Sequence, residues 1–332
     1  MADEQTDMFA PEQPTLLDVP AEVPKQASLY GENLFGEEIV PASRGVISDR
    51  FILAPFTILN TREGFWLERR RAWLSLGIRS EVGRDEGLTM DHATSDWFGK
   101  VLDDRGGKTS VFDPVLCEMA YRWFCPERGQ VVDPFSGGSV RGIVAAHLGL
   151  SYWGSDLSSR QIEANKEQGR EIVPDNQPEW VCGDSAKVVQ FAPAADFIFS
   201  CPPYGDLEVY SDDPADISNM DYSQFLVSYS DIIGKTLGRL RADRFACFVV
   251  GDFRDKRTGL YQGFVADTIT AFEEHGAHLY NEAILVNSAG SLPVRITKQF
   301  DSGRKMGKCH QNVLVFVKGD WRVAAAACVE GR

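Results

Sequence analysis

The chain has no apolar run approaching eighteen residues, so the sequence predicts no membrane-spanning helix, and no secretory leader pattern opens it; a cytoplasmic protein is expected. It lacks Cys-x-x-Cys spacing. Its seven cysteines (117, 125, 182, 201, 247, 309 and 328) are odd in number and mostly flanked by apolar residues, as reduced core residues would be, so neither disulfides nor a metal site is expected. No repeat or internal symmetry is visible. Basic residues are in deficit, with 34 Lys and Arg against 48 Asp and Glu and a net charge of -14, a balance that opposes a phosphate-rich partner. The deficit is uneven, however. Residues 1–40 hold nine acids against Lys25, whereas 295–308 carry Arg295, Lys298, Arg304, Lys305 and Lys308 against Asp301, a segment read as a phosphate-contacting loop.

What the sequence does contain is a series of apolar strands, each ending in small or acidic residues. Val131-Val132 runs into Asp133-Pro134-Phe135-Ser136-Gly137-Gly138 and then a helical stretch from Ser139, a turn small enough for backbone to approach a ligand at a helix N-terminus. About twenty residues on, the strand at 152–155 ends at Asp156-Leu157, where a carboxylate can take both hydroxyls of a ribose. A third strand ends at Asp184-Ser185, and a fourth, 196–200, runs into Cys201-Pro202-Pro203-Tyr204. In an open α/β sheet, ligands collect at these carboxyl ends. Three acids at successive strand ends point to an adenosine-type ligand.

Taken together, Asp133 to Ser139 and Cys201 to Tyr204 resemble the paired motifs of the DNA amino-methyltransferases, which use S-adenosyl-L-methionine to methylate N4 of cytosine or N6 of adenine. The resemblance covers roughly residues 108–320 and includes the segment 110–118, similar to the helix preceding the family's glycine loop. It implies a Rossmann-like class I methyltransferase fold: a mostly parallel, doubly wound sheet with a C-terminal antiparallel hairpin. By the same resemblance, Phe112, Asp113 and Pro114 close the methionine end of the cofactor. Asp133, Pro134, Phe135, Gly137, Gly138 and Ser139 cradle it, Asp156 and Leu157 hold the ribose, and Asp184 and Ser185 lie near the adenine.

The chemistry explains the Pro-Pro-Tyr run. An exocyclic amine on a base is a poor nucleophile because its lone pair is delocalised into the ring, so acceptors must draw it out while an aromatic ring stacks on the flipped base. By the resemblance, Pro202 supplies a carbonyl, Tyr204 the stacking face and Cys201 the first acceptor, with Pro203 part of the same catalytic run. The family places Asp, Asn or Ser where this chain has Cys201. A thiol is a weak acceptor, and Cys is nearest to Ser in size, which leans the expectation slightly toward cytosine. Two other readings of Cys201 stand beside this one. It is a nucleophile for C5-pyrimidine methylation, or it is a buried cysteine in a proline turn. An RNA or protein amino-methyltransferase, a nicotinamide-dependent reductase and a non-catalytic DNA-binding module are the rival classes.

The expected organisation is an acidic disordered tail (1–40), an N-terminal extension (41–105), a catalytic domain (106–322) and a C-terminal tail (323–332). In the first, residues 5–9 (Gln-Thr-Asp-Met-Phe) are similar to the peptide that docks bacterial replication proteins onto the sliding clamp, making the clamp and DNA the expected partners. In the second, Trp66, Arg69, Arg70, Trp73 and Leu74 recur at helical spacing. The aromatics read as core and Arg69 to Arg71 as groups that reach phosphates. Glu208 and Tyr210, in the acidic segment after the clamp, and Arg254, after a buried strand, are further candidate substrate contacts. No nuclease signature is present, so a solitary modification enzyme of phage or prophage type is expected.

Overall fold

The computed structural model describes residues 46–79, 112–204, 216–287 and 292–329. The described residues build an eight-stranded sheet in the order β1-β7-β8-β6-β5-β2-β3-β4. Its strands are β1 (Ile58–Asn60), β2 (Gln130–Asp133), β3 (Ser151–Asp156), β4 (Glu179–Cys182), β5 (Ala195–Ser200), β6 (Leu240–Val250), β7 (His278–Val286) and β8 (His310–Lys318). Seven run parallel; β8 is antiparallel to both neighbours, β6 and β7. This is the mostly parallel, doubly wound Rossmann-like sheet that the sequence led one to expect. Chain progression reverses at β2, which lies between β3 and β5, so the switch point falls between the glycine turn and the Pro-Pro-Tyr run.

The strands are apolar on both faces because helices cover both. Strand periodicity sorts the side chains: Phe197 and Phe199 of β5 meet Tyr121 of helix α3 (Pro114–Phe124), with centroids 6.2 and 5.4 Å away. Ile198 faces the opposite core with Val132, Phe248 and Phe316. There the sheet is covered by α7 (Tyr222–Arg239) and α8 (Phe264–Glu274), and Phe272 stacks on Phe316 at 3.8 Å. The remaining helices of the core are α4 (Val140–His147), α5 (Ser159–Ile172) and the single turn α6 (Ser185–Val188).

Three details go beyond the sequence reading. The described part of the N-terminal extension, α1 (Val46–Phe51), β1 and α2 (Gly64–Ser75), belongs to the same compact unit as the sheet, and β1 pairs in parallel with β7. The basic segment is not simply a hairpin loop. The expected antiparallel hairpin is formed by β7 and β8, with helix α9 (Leu292–Gly303) in its connection and β8 inserted between β6 and β7. The end of the chain is not a tail through residue 329. Helix α10 (Trp321–Ala327), capped by Asp320, buries Ala324 and Cys328 and stacks Trp321 on Tyr280. Residues 1–45 and the boundary expected near 105 lie outside the described residues.

Candidate functional site

The loop after β2 is held by a buried carboxylate. Asp133 is fully buried and its two oxygens accept four groups: Phe135 N at 3.1 Å, Ser200 Oγ at 2.6 Å, Tyr152 Oη at 2.7 Å and Arg141 Nε at 2.6 Å. Arg141 also donates to the carbonyls of Phe135 (2.5 Å) and Ser136 (3.0 Å), and its guanidinium lies 4.6 Å from the Phe112 ring. Burial opposes its charge, but Asp133 beside it outweighs burial and raises its pKa above the ordinary value. The same burial raises the Tyr152 phenol, keeping it a neutral donor to Asp133. Asp133 therefore joins the ends of β2 and β5 to the first residues of β3 through hydrogen bonds worth more than neutral ones. Its oxygens are engaged by protein donors, and it fixes the shape of the glycine turn.

The loop itself is a close-packed turn. Gly137 has φ +47°, and a Cβ there would meet nothing within 4 Å, so open space lies in front of it. Gly137 N donates to Asp156 Oδ2 at 3.1 Å, and Asn165 Nδ2 donates to the Gly137 carbonyl at 2.7 Å. Gly154 lies directly beneath, where an added Cβ would come within 2.7 Å of Ser136 Cβ. Ser136 Oγ is buried with no hydrogen-bond partner among the described residues, and the Ser139 hydroxyl donates to Gln168 at 3.2 Å. Half-buried Asp156 also accepts from Ser158 N at 2.9 Å. Burial raises its carboxyl pKa above the ordinary aspartate value, and the two backbone N–H groups offset part of that rise.

The third and fourth strand ends close in around the same loop. Ser185 donates to the Pro134 carbonyl at 2.5 Å and its hydroxyl lies 2.9 Å from Ser155 Oγ, so it too ties the loops together. Asp184 caps α6 at Ala186 N and pairs with Lys187 at 3.1 Å, while the Leu157 carbonyl accepts from Cys182 Sγ. Asp113 caps α3 and accepts from Trp66 Nε1 at 2.9 Å; burial raises its carboxyl pKa and the Trp66 bond works against that. The Phe112 ring meets Phe199 edge-on at 5.7 Å, and Pro114 is buried at the first turn of α3. After β5, Cys201 is half-buried, Pro202 is buried, and Cys201 Sγ lies 3.9 Å from Tyr204 Oη. Gln311 Nε2, at the start of β8, donates to the Tyr204 hydroxyl, and the Tyr204 ring packs on Phe264 at 6.0 Å.

The remaining candidates fall elsewhere. Arg254 stacks on Tyr261, 3.9 Å from the ring centroid, and lines a cavity of 660 Å³ together with Lys305 and Lys308. Lys308 Nζ donates to the Asp252 carbonyl at 3.2 Å; burial lowers its pKa and Asp252 partly restores it. Arg295 and Lys298 are carried by α9, and Arg304, just past it, lies over the Phe300 ring at 5.2 Å. Glu208, Tyr210 and residues 5–9 lie outside the described residues. Arg69 is not available to phosphates as expected, because it grips buried Glu118 through Nε (2.6 Å) and Nη2 (2.5 Å). Trp66 and Trp73 are core residues, and Trp73 Nε1 donates to the same Glu118 at 2.8 Å. Burial works against the Glu118 charge, but Arg69, Arg122 and Trp73 outweigh it and hold the carboxyl below the usual glutamate value.

Sequence reasoning missed Arg141, Ser200 and Gln311. Only Arg141 left a signal, as the one cation within the otherwise apolar or small stretch 140–146 of α4.

No family model matches the chain, and no curated protein matches it. Solved structures with a similar chain course include TrmN from Thermus thermophilus, at 15% identity and TM-score 0.42, covering 62% of this chain and 49% of that one. Magnesium protoporphyrin IX methyltransferase (ChlM) from Synechocystis PCC 6803, solved with bound SAM, shares 15% identity over 69% of this chain and 100% of that one, TM-score 0.40. Precorrin-6y C5,15-methyltransferase from Geobacter metallireducens GS-15 shares 12% identity over 65% and 95%, TM-score 0.43.

Proposed function

We propose that this chain is an S-adenosylmethionine-dependent methyltransferase that acts on the exocyclic amino group of a DNA base, N4 of cytosine or N6 of adenine. The observation that carries the reading is the Asp133 carboxylate, which accepts from the backbone of the glycine loop and from Ser200, the residue immediately before Cys201-Pro202-Pro203-Tyr204. A nucleotide-type loop and an amine-binding run are thus held in one frame across the switch point, where two substrates must meet for a direct transfer.

The residues present fit the cofactor. Gly137 leaves room for close approach, Ser136 Oγ has a hydrogen bond still to make, and the Asp156 carboxylate ends β3 facing the loop. Phe112 to Pro114, Pro134 to Ser139, Asp156 and Leu157, and Asp184 with Ser185 would hold it, Asp133 and Ser185 by positioning the loops. When bound, the cofactor supplies a methyl group on a sulfonium. The protein's part is to orient and dehydrate. The Pro202 carbonyl and Cys201 accept the two amino N–H bonds, which localises the nitrogen lone pair, and Tyr204 stacks on the base. Gln311 fixes the Tyr204 hydroxyl, so the ring that receives the base is immobilised beforehand.

The test is to incubate the protein with S-adenosylmethionine and unmodified DNA of mixed sequence, digest to nucleosides and identify them by mass spectrometry. N4-methylcytosine or N6-methyladenine is the expected product. 5-Methylcytosine would make Cys201 a nucleophile, and methylation of RNA or protein alone would overturn the choice of DNA.

A further inference from the structure

Beyond Val250 the chain folds back on itself as a short finger. Arg254 and Tyr261 form an isolated antiparallel bridge, Asp255 N donates to the Leu260 carbonyl at 2.9 Å, and Gly259 N donates to the Asp255 carbonyl at 2.8 Å. The finger presents Leu260, 68% exposed, beside Tyr261. The segment after α9 faces it with Lys305, Lys308 and Met306, the last 75% exposed. Lys305 Nζ reaches across to the finger, so close that a Cβ on Gly259 (φ +74°) would come within 2.7 Å of it. Between the two walls lies the cavity of 660 Å³.

The cavity adjoins the Pro-Pro-Tyr run. Phe253 in its wall and Tyr204 both pack on Phe264, at 5.9 and 6.0 Å. Lys308 and Gln311 both lie beside Gly251, and Gln311 also bonds the Tyr204 hydroxyl. A single exposed leucine is ordinary. Tyr261 and Met306 line the cavity with three cations and one acid, Asp252, and exposed Leu260 precedes Tyr261 on the finger, so the surface there suits something both apolar and anionic.

We infer that this cavity receives the DNA strand next to the methylated base: Arg254, Lys305 and Lys308 take a neighbouring phosphate, and Leu260 enters the gap that the flipped base leaves in the stack. The inference rests on the DNA reading above and specifies how the same site engages its substrate. Extruding a base costs a few kcal/mol of unstacking, and an apolar side chain in the vacated step offsets part of that. The cationic wall anchors the backbone without reading sequence.

The experiment measures binding of the full chain, by fluorescence anisotropy, to labelled mixed-sequence duplexes that are intact or carry one abasic site, with methyl transfer to the intact duplex followed alongside. Leu260→Ala should weaken binding to the intact duplex about tenfold and leave the abasic duplex, already unstacked, nearly unchanged, a difference of about 1.4 kcal/mol. Lys305→Ala should weaken both duplexes alike and lower the slope of log affinity against log salt by about one. Both side chains are exposed, so melting temperatures should match the wild type. Wild-type behaviour of both variants, with methyl transfer to DNA intact, overturns the inference and leaves the proposed function standing. A wild-type protein that neither binds nor methylates DNA, or that methylates only RNA, overturns both.

Discussion

Around β2, β3 and β4 the ionisable side chains are directed at one another, whereas around β6 and β8 they bond backbone carbonyls and aromatic rings at the edge of a cavity. On the first side Asp133, Arg141 and Tyr152 are buried and mutually bonded, and Ser155 and Ser185 lock adjacent loops. On the second, Arg254, Lys305 and Lys308 line a cavity beside exposed Leu260 and Met306. Under the proposed function the contrast follows from what each side would have to do. A small polar ligand of fixed shape is best met by a rigid, desolvated frame, while a long polyanion is met by cations that tolerate many geometries and are screened by salt.

The comparison breaks most severely if the rigid frame is opened. Arg141→Leu leaves the Asp133 charge buried without its cation, and a loss of about 3–5 kcal/mol is expected from urea denaturation, with cofactor binding lost as well. Glu118→Gln should cost about 3 kcal/mol for the same reason, through Arg69, and it carries a pH signature. The folded-state pKa of Glu118 is depressed, so its contribution is present above the unfolded glutamate value of about 4.3 and disappears as pH falls through the folded value. Melting temperatures followed downward from pH 6 should therefore fall more steeply for the wild type than for this variant.

Asp156→Ala sharpens the distinction between holding the fold and holding the ligand. Ionised Asp156 is disfavoured by burial in the free protein, so its removal should change the melting temperature little. It should abolish the stabilisation by S-adenosylmethionine, which at a hundred times Kd is about 2.7 kcal/mol for the wild type. The smallest of these effects concerns the base. Tyr204→Ala should lower kcat/KM for methyl transfer by about 2 kcal/mol, the scale of one stacked base, with cofactor binding unchanged by calorimetry. Tyr204→Phe should retain most of the activity if the ring rather than the hydroxyl is used.

Legibility in the sequence divided along the same line. The strand ends with Asp133, Asp156, Asp184 and Cys201 were readable because local rules govern them: an apolar run, a stop, and a small residue where the backbone must turn. The contacts between those ends were not. Ser200 reaches Asp133 across 67 positions and Gln311 reaches Tyr204 across 107, separations at which no periodicity operates. Arg69 and Arg70 are adjacent cations that look alike in sequence, yet only burial of Glu118 on α3 explains why Arg69 is an internal ion-pair partner. In the sequence the charges of Arg295, Lys298 and Asp301 mask the helical spacing of Leu292, Ile296 and Phe300. The placement of β8 between β6 and β7 is a choice of tertiary pairing that leaves no mark on the apolar run 312–317 itself.

Strand β1 has a consequence for how this molecule is made. Its partner is β7, and the Thr61 hydroxyl donates to the Val286 carbonyl 225 residues further on. At a synthesis rate of roughly 5–20 residues per second, the ribosome needs on the order of 10–45 s to produce that partner. Throughout that interval the segment around Ile58 has no edge to join, although α2 can already dock on α3 through Trp66, Arg69 and Trp73. The first strand of the sheet in chain order is thus among the last to be paired.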